Sequence, residues 1–441
     1  MRRAFLWILA GLALALAAPA GAQTVPAPAR PAAASAAAAP QAFDPEAATE
    51  AWLARLTPEQ RERSDSYFEG NYWLILWDYL YGLGVAGLLL ATGLSARLRD
   101  RLERLTRFRF LRTFLYFALY IVLTAVLTFP LTVYESYVRE HRYGLLTQAF
   151  GPWMGEQLLG LALAVGIGGL ALTGIYAVLR RSPRNWWIWG WVVAFVFLVI
   201  GLLLAPVFLS PLFNRYTELR DPVLRGPILT LARANGIPTE HVYVYDASKQ
   251  SNRVSANVSG LGSTLRISLN DNLLKRCSPA AVKAVMGHEM GHYVLNHIYE
   301  MIVEFGLVFF LGCAFLRLTF GRVAARWGGR WGIRGVDDPA GLPLMVILLT
   351  TYFFLMTPVI NTIIRTNEAE ADIFGLNAAR EPDGFAEAAL LLGEYRKLAP
   401  GPWEERLMFD HPSGRNRILT AMRWKAAQGA QGRDQSRVGP D

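Results

Sequence analysis

Hydropathy along this chain is segmental. Six apolar runs, at residues 72–93, 112–134, 156–179, 186–209, 301–319 and 341–363, alternate with shorter polar stretches. Each is long enough to cross roughly 30 Å of bilayer hydrocarbon as a helix of about 20 residues. Lipid offers no partner to backbone amides, so such runs are helical. Pro130, Pro206 and Pro358 fall inside three of them and predict kinks or breaks. A further apolar stretch follows Arg2 and Arg3 and ends near Ala20-Gly21-Ala22, so residues 1–22 read as a signal peptide or a retained first helix. From Gln23 to about Gln41 the chain is almost all Ala and Pro, a low-complexity linker.

Residues 210–300 and 364–441 are the two stretches left for a water-exposed domain. Pro227 to Asn235 reads as a helix closed by Gly236. His241 to Asp246 and Thr264 to Leu269 alternate apolar and polar side chains, as half-buried strands do. Ser278 and Pro279 supply an N-cap and a first-turn proline for a helix predicted to run to about Tyr299. The chain shows no internal repeat.

Composition agrees with a membrane protein. Of 441 residues 53% are hydrophobic and only 18% charged, against about a quarter in a typical soluble domain. The net charge of +9 does not call for nucleic acid, because no basic-aromatic module is present. The arginines sit instead between spans: Arg97, Arg99, Arg101, Arg104, Arg107 and Arg109 after the first, Arg180, Arg181 and Arg184 after the third, Arg322, Arg326, Arg330 and Arg334 after the fifth. If every run spans, these three loops share one side, and the positive-inside rule makes it cytoplasmic. A signal sequence gives the same orientation. Residues 210–300 and 364–441 are then expected to face the periplasm or cell exterior. Cys277 and Cys313 make neither a disulfide framework nor a thiolate metal site.

Three of the six histidines lie within ten residues. His288-Glu289-Met290-Gly291-His292 is an H-E-x-x-H motif on a predicted helix, where positions i and i+4 share a face and both imidazoles can address one ion. Glu289 is placed to act on a water at that ion. Catalytic zinc usually takes a third protein ligand. His297 lies five residues after His292, about 140° round a continuous helix, so it is expected to face away and bond at the helix end. Glu368 and Asp372, one turn apart after the last span, offer a ligand and a carboxylate to orient an imidazole, whereas Glu370 projects roughly opposite. His411-Pro412-Ser413, with Arg415 and Arg417 close behind, reads either as an oxyanion-binding pair or as a capped turn opening the last helix.

These residues together resemble the integral-membrane zinc metallopeptidases of the CAAX prenyl protease 1 (a-factor-converting) type, in bacterial form. The resemblance rests on Glu140-His-Arg-Tyr-Gly144, Pro211-Leu-Phe-Asn214, the His288–His292 helix, Asn367 to Asp372 and His411-Pro-Ser413, and extends over about residues 65–425. It implies that His288, His292 and Glu368 bind one Zn2+ and that Glu289 is the catalytic base. Asp372 and Arg365 would support these ligands, and His411 with Arg417 would steady the transition state. Ser255, Ala256 and Asn257 would belong to the strand that binds substrate, although relatives often carry Asn where Ser255 stands.

The expected fold is mainly α, a polytopic membrane protein of six transmembrane helices, or seven if the first is retained, around a zincin-like metalloprotease domain with a small β-sheet. Residues 23–64 would be linker and amphipathic lead-in, 65–210 a four-span membrane domain, 211–425 the metallopeptidase domain including the last two spans, and 426–441 a polar tail. The expected function is zinc-dependent endopeptidase action on a peptide or protein substrate, membrane-associated or lipidated. The partners would be that substrate and membrane lipid, not nucleic acid. The rivals are a heat-shock quality-control protease of the HtpX type, a six-helix transporter and an inactive membrane chaperone. A transporter would need more charge inside its spans than Asp78 and Glu304.

Overall fold

The computed structural model describes residues 43–260 and 262–435. The signal-peptide segment 1–22, nearly all of the Ala/Pro-rich stretch and the last residues of the tail lie outside the described residues.

Fourteen helices are described: α1 (Pro45–Leu53), α2 (Pro58–Ala91), α3 (Leu94–Leu105), α4 (Arg109–Arg142), α5 (Phe150–Arg181), α6 (Trp186–Leu212), α7 (Pro222–Ala234), α8 (Asp271–Arg276), α9 (Pro279–Val294), α10 (His297–Trp331), α11 (Leu342–Ala379), α12 (Pro382–Leu392), α13 (Pro402–Met408) and α14 (Gly414–Gln435). Six of them, α2, α4, α5, α6, α10 and α11, are long and apolar enough to cross a membrane. They cover the six apolar runs to within two residues at the ends, and each extends beyond its run on at least one side. Outward-facing Trp73, Trp77, Val126, Leu158, Ile200, Leu307 and Leu355 are exposed, which in a bilayer is contact with lipid. Inward, Tyr116, Phe117, Tyr176, Leu179, Phe320 and Met345 close a shared core.

The prolines behave differently from one another. Pro206 lies in a π-helical turn, Ala205–Leu209, and a second such turn, Tyr134–Arg139, opens one turn after Pro130. Both widen the backbone where a proline cannot donate. Pro358 sits inside α11, which continues through it without a break. There Thr357 and Thr362 hydroxyls donate to the carbonyls of Phe353 and Pro358, bracketing the proline.

The three arginine loops gather at one end. Arg99 bonds Asp338, Arg334 donates to Glu103 at 2.9 Å and to Asp100 at 2.8 Å, and Arg180 lines the same cavity as Arg99 and Asp337. Helix α10 runs 35 residues from that end to His297, about 50 Å at 1.5 Å per residue.

Between α6 and α9 lies a four-stranded sheet of β1 (Tyr216–Glu218), β2 (Val242–Tyr245), β3 (Ala256–Ser259) and β4 (Arg266–Asn270) in the order β1-β2-β4-β3. β2 and β4 are parallel, and both outer pairs are antiparallel. β3 is therefore an edge strand. Ile267 and Leu269 on β4 pack with Met286 and Met290 on α9, fixing that helix beneath the sheet. Three sequence expectations move. β1 was not foreseen. α7 starts at Pro222, capped by Asp221, and carries Pro227 inside it. α9 stops at Val294, because Asn296 adopts φ 62° and turns the chain into α10, so no continuous helix reaches Tyr299.

α9 and α11 approach closely through small residues. Cβ atoms placed on Gly287 and Gly291 would lie 3.0 Å from Gly375 O and 3.2 Å from Ala371 Cα. One on Gly375 would lie only 2.7 Å from the His288 backbone N. Four small residues spaced by four on facing helices permit this approach. It brings His288 against the Glu368–Asp372 turn.

Candidate metal centre

The helix bearing H-E-x-x-H is fixed at its start. Ser278 caps α9 by accepting from Ala281 N at 3.2 Å, and Glu387 of α12 accepts from the Ser278 N–H at 2.8 Å and its hydroxyl at 2.7 Å. One turn of α9 then presents His288 and His292, and α11 presents Glu368. Nε2 of His288 is 3.2 Å from Nε2 of His292 and 3.3 Å from Glu368 Oε2, while His292 Nε2 is 3.5 Å from Glu368 Oε1. Ligands about 2.1 Å from one tetrahedral ion are about 3.4 Å apart. The donor set of His288, His292 and Glu368 fits a single zinc-sized cation.

Each imidazole is held from behind. His288 Nδ1 faces Asp372 Oδ1 at 2.8 Å. Asp372 in turn accepts from Arg417 Nε at 2.9 Å and Nη2 at 2.6 Å, a bidentate fork. His292 Nδ1 lies 2.9 Å from His297 Nδ1, and His297 Nε2 lies 3.3 Å from Glu370 Oε2. The expectation that His297 faces away assumed a continuous helix. The turn at Asn296 instead folds it back onto His292, and Glu370, though exposed, lies against its far nitrogen.

The electrostatics favour a cation here. Burial lowers the His288 imidazole, but Asp372 and Glu368 outweigh it and push it up to about 10. His292, buried beside the charged His288, is pushed down to about 4. Burial pushes the Glu289 carboxyl up to about 7, with Glu368 adding to the rise.

A cavity of about 270 Å³ is lined by Ser255, Ala256, His288, Glu289, His292, Glu368, His411 and Arg417. His411 Nδ1 is 2.8 Å from Asp410 Oδ1 and its Nε2 is 3.3 Å from Glu368 Oε2, so Asp410 aims the ring at the ligand carboxylate. Asn257 does not line this cavity, since it occupies the other face of β3, where its Oδ1 accepts from Ser259 Oγ at 3.1 Å. Arg365 touches no donor of the cluster. It donates instead to the carbonyls of Glu405 and Phe409, holding the chain that leads to His411. Asp410 and Arg396 also belong to the site, and sequence reasoning passed over both. A second cavity, about 690 Å³, adjoins the first along residues 250–256. Glu140 and Asn214 of the resemblance motifs line it, Glu140 paired with Arg253 at 2.8 Å and Asn214 donating to Gln250 Oε1 at 2.9 Å.

Residues 218–425 match the model of peptidase family M48, and residues 41–215 match that of the CAAX prenyl protease N-terminal region, described as five membrane helices. YhfN of Bacillus subtilis, an uncharacterised metalloprotease, is 30% identical over 65% of this chain and 67% of its own length. The chain belongs to peptidase family M48.

CAAX prenyl protease 1 of Saccharomyces cerevisiae is also 30% identical, over 57% of this chain and 59% of its own length. The crystal structure of S. mikatae Ste24p superposes with a TM-score of 0.69 at 22% identity, covering 86% of this chain and 95% of that one, a likeness of fold. Four candidate spans lie within the stretch that matches the five-helix model, among the described residues. This M48 chain is a multi-pass membrane metalloendopeptidase related to the CAAX proteases, so the transporter reading falls away.

Proposed function

We propose that the chain is a zinc endopeptidase of a bacterial inner membrane that cleaves extended segments of membrane-associated or lipidated proteins on the periplasmic side. The observation that carries this reading is the donor triangle of 3.2, 3.3 and 3.5 Å, with Asp372 facing the far nitrogen of His288 and His297 that of His292. His288, His292 and Glu368 would hold the ion. Zinc, when bound, supplies positive charge that acidifies water and polarises a scissile carbonyl.

The remaining steps belong to side chains of this protein. Glu289 takes the proton of the attacking water and hands it to the leaving amine, a task suited to a carboxyl raised by burial. His411, aimed by Asp410, and the Arg417 guanidinium, anchored on Asp372, bring hydrogen-bonding groups toward the oxyanion that develops. The free edge of β3 and the residues leading into it, Ser255 and Ala256, pair with the backbone of an extended substrate. The larger cavity beyond Arg253 reaches the span residues Leu74, Ile75 and Asp78, which suits a substrate arriving from the bilayer. The match over 41–215 favours this reading over a quality-control protease of the HtpX type.

Clustering of the three arginine loops at the end remote from His288 supports a periplasmic site. Nucleic acid has no place in this account, because those arginines serve orientation. A cysteine introduced at Glu240 reacts with a membrane-impermeant maleimide in intact cells and one at Arg330 does not; the reverse pattern would place the site in the cytoplasm. For the chemistry, Glu289→Gln is the test. It keeps its metal and loses 10²–10⁴-fold in kcat on a quenched peptide. Undiminished turnover would remove Glu289 from the mechanism.

A further inference from the structure

His292 has a different neighbour at each ring nitrogen. Nε2 faces His288 and Glu368, and Nδ1 lies 2.9 Å from Nδ1 of His297. A hydrogen bond across that gap needs one proton between the two Nδ1 atoms, and the ring that carries it sets the tautomer of both. If it sits on His297, the neutral His292 ring must carry its own proton on Nε2, which then has no lone pair for a metal.

Glu370 resolves the choice. Its Oε2 is 3.3 Å from His297 Nε2, and a carboxylate oxygen accepts from a ring N–H. The His297 proton therefore belongs on Nε2, its Nδ1 is bare, and that nitrogen accepts from His292 Nδ1–H. His292 is left with its Nε2 lone pair directed at the position shared with His288 and Glu368. His297 is 1% exposed, so water does not replace it, whereas Glu370 is 54% exposed and closes the chain of contacts at the surface.

We infer that His297, backed by Glu370, is a positioning residue that fixes His292 in its metal-binding tautomer. It serves the second ligand as Asp372 serves the first. The left-handed backbone at Asn296 (φ 62°) makes this contact, because a helix continued through 295–297 would carry His297 off the His292 face.

This inference rests on the metallopeptidase reading, and its test separates the two. Full-length chain purified in detergent is loaded with Zn2+, its zinc content measured, and release followed under excess chelator for the parent, His297→Leu, His297→Asn and Glu370→Leu. Asn places an accepting oxygen where Nδ1 of His297 stood. His297→Leu should release zinc about 10–100-fold faster than the parent. His297→Asn should stay within about threefold of the parent and Glu370→Leu should fall between, in keeping with the outer position of that carboxylate. Melting temperatures with and without zinc supply a second readout. A role in packing alone lowers both equally and leaves release unchanged, whereas positioning narrows the gap between them. A zinc-loaded parent with His297→Leu release within twofold of it, or His297→Asn as fast as His297→Leu, overturns the inference alone. A parent that binds no zinc overturns the metallopeptidase reading first.

Discussion

Gly375→Ala probes the helix contact on which the metal site depends. The added methyl would lie 2.7 Å from the His288 backbone N and 3.0 Å from its Cα. Favourable carbon contacts begin near 3.5 Å, so α9 and α11 must separate by about 1 Å. Backbone on both sides leaves no flexible side chain to yield. Overpacking of this kind costs about 1–3 kcal/mol in stability. The larger effect falls on chemistry, because His288 rides on α9 while Glu368 and Asp372 ride on α11, and a 1 Å misplacement costs on the order of 10²-fold in rate. The assay compares kcat/KM on a quenched peptide, zinc release under chelator and thermal unfolding in detergent. Gly84→Ala, on α2 with nothing within 4 Å of the new methyl, is the control and should leave all three unchanged. Gly375→Ala with kcat/KM within twofold of the parent and an unchanged melting temperature would refute the argument that close packing of these helices sets the site.

Asp372→Asn removes the charge that pairs Arg417 and fixes the His288 tautomer, so zinc should leave about 10–100-fold faster, with a stability loss on the order of 3 kcal/mol from the stranded guanidinium. Unchanged release and melting would contradict that role. Arg365→Ala frees the carbonyls of Glu405 and Phe409, loosening His411, and should lower kcat about tenfold, roughly 1.4 kcal/mol of lost positioning, with metal content intact; loss of metal instead would place Arg365 in support of the ligands. Glu289 acts only when ionised. Burial raises it to about 7 from an ordinary 4.5 and a bound cation draws it back, so kcat/KM should fall on the acid side with a midpoint between those values. A flat profile from pH 4.5 to 7 would exclude it as the base.

The spans were legible because each is a continuous apolar run, and a bilayer accepts no other structure for such a run. The donors were legible because i, i+4 spacing on a helix is rigid: His288 and His292 share a face, and Glu368 and Asp372 share another. What escaped has identifiable physical causes. β1 is three residues long and gains its identity only by pairing with β2. Residues 295–297, where α9 gives way to α10, include no proline or glycine; Asn296 makes the turn through a left-handed backbone open to few side chains, and its consequence for His297 is tertiary. Gly287, Gly291, Ala371 and Gly375 lie on two helices whose facing depends on the whole fold. Arg365 sits a few residues from Glu368, yet it works through backbone carbonyls that no spacing rule anticipates.

The central claim is that His288, His292 and Glu368 hold one metal ion used to cleave peptide bonds. The measurement that tests it most directly is the metal content of detergent-purified full-length chain, taken with hydrolysis of a quenched peptide before and after chelation. The account predicts one zinc per chain, cleavage abolished by chelator and restored by added Zn2+. A chain that binds no metal, or one whose cleavage survives complete removal of metal, would contradict it.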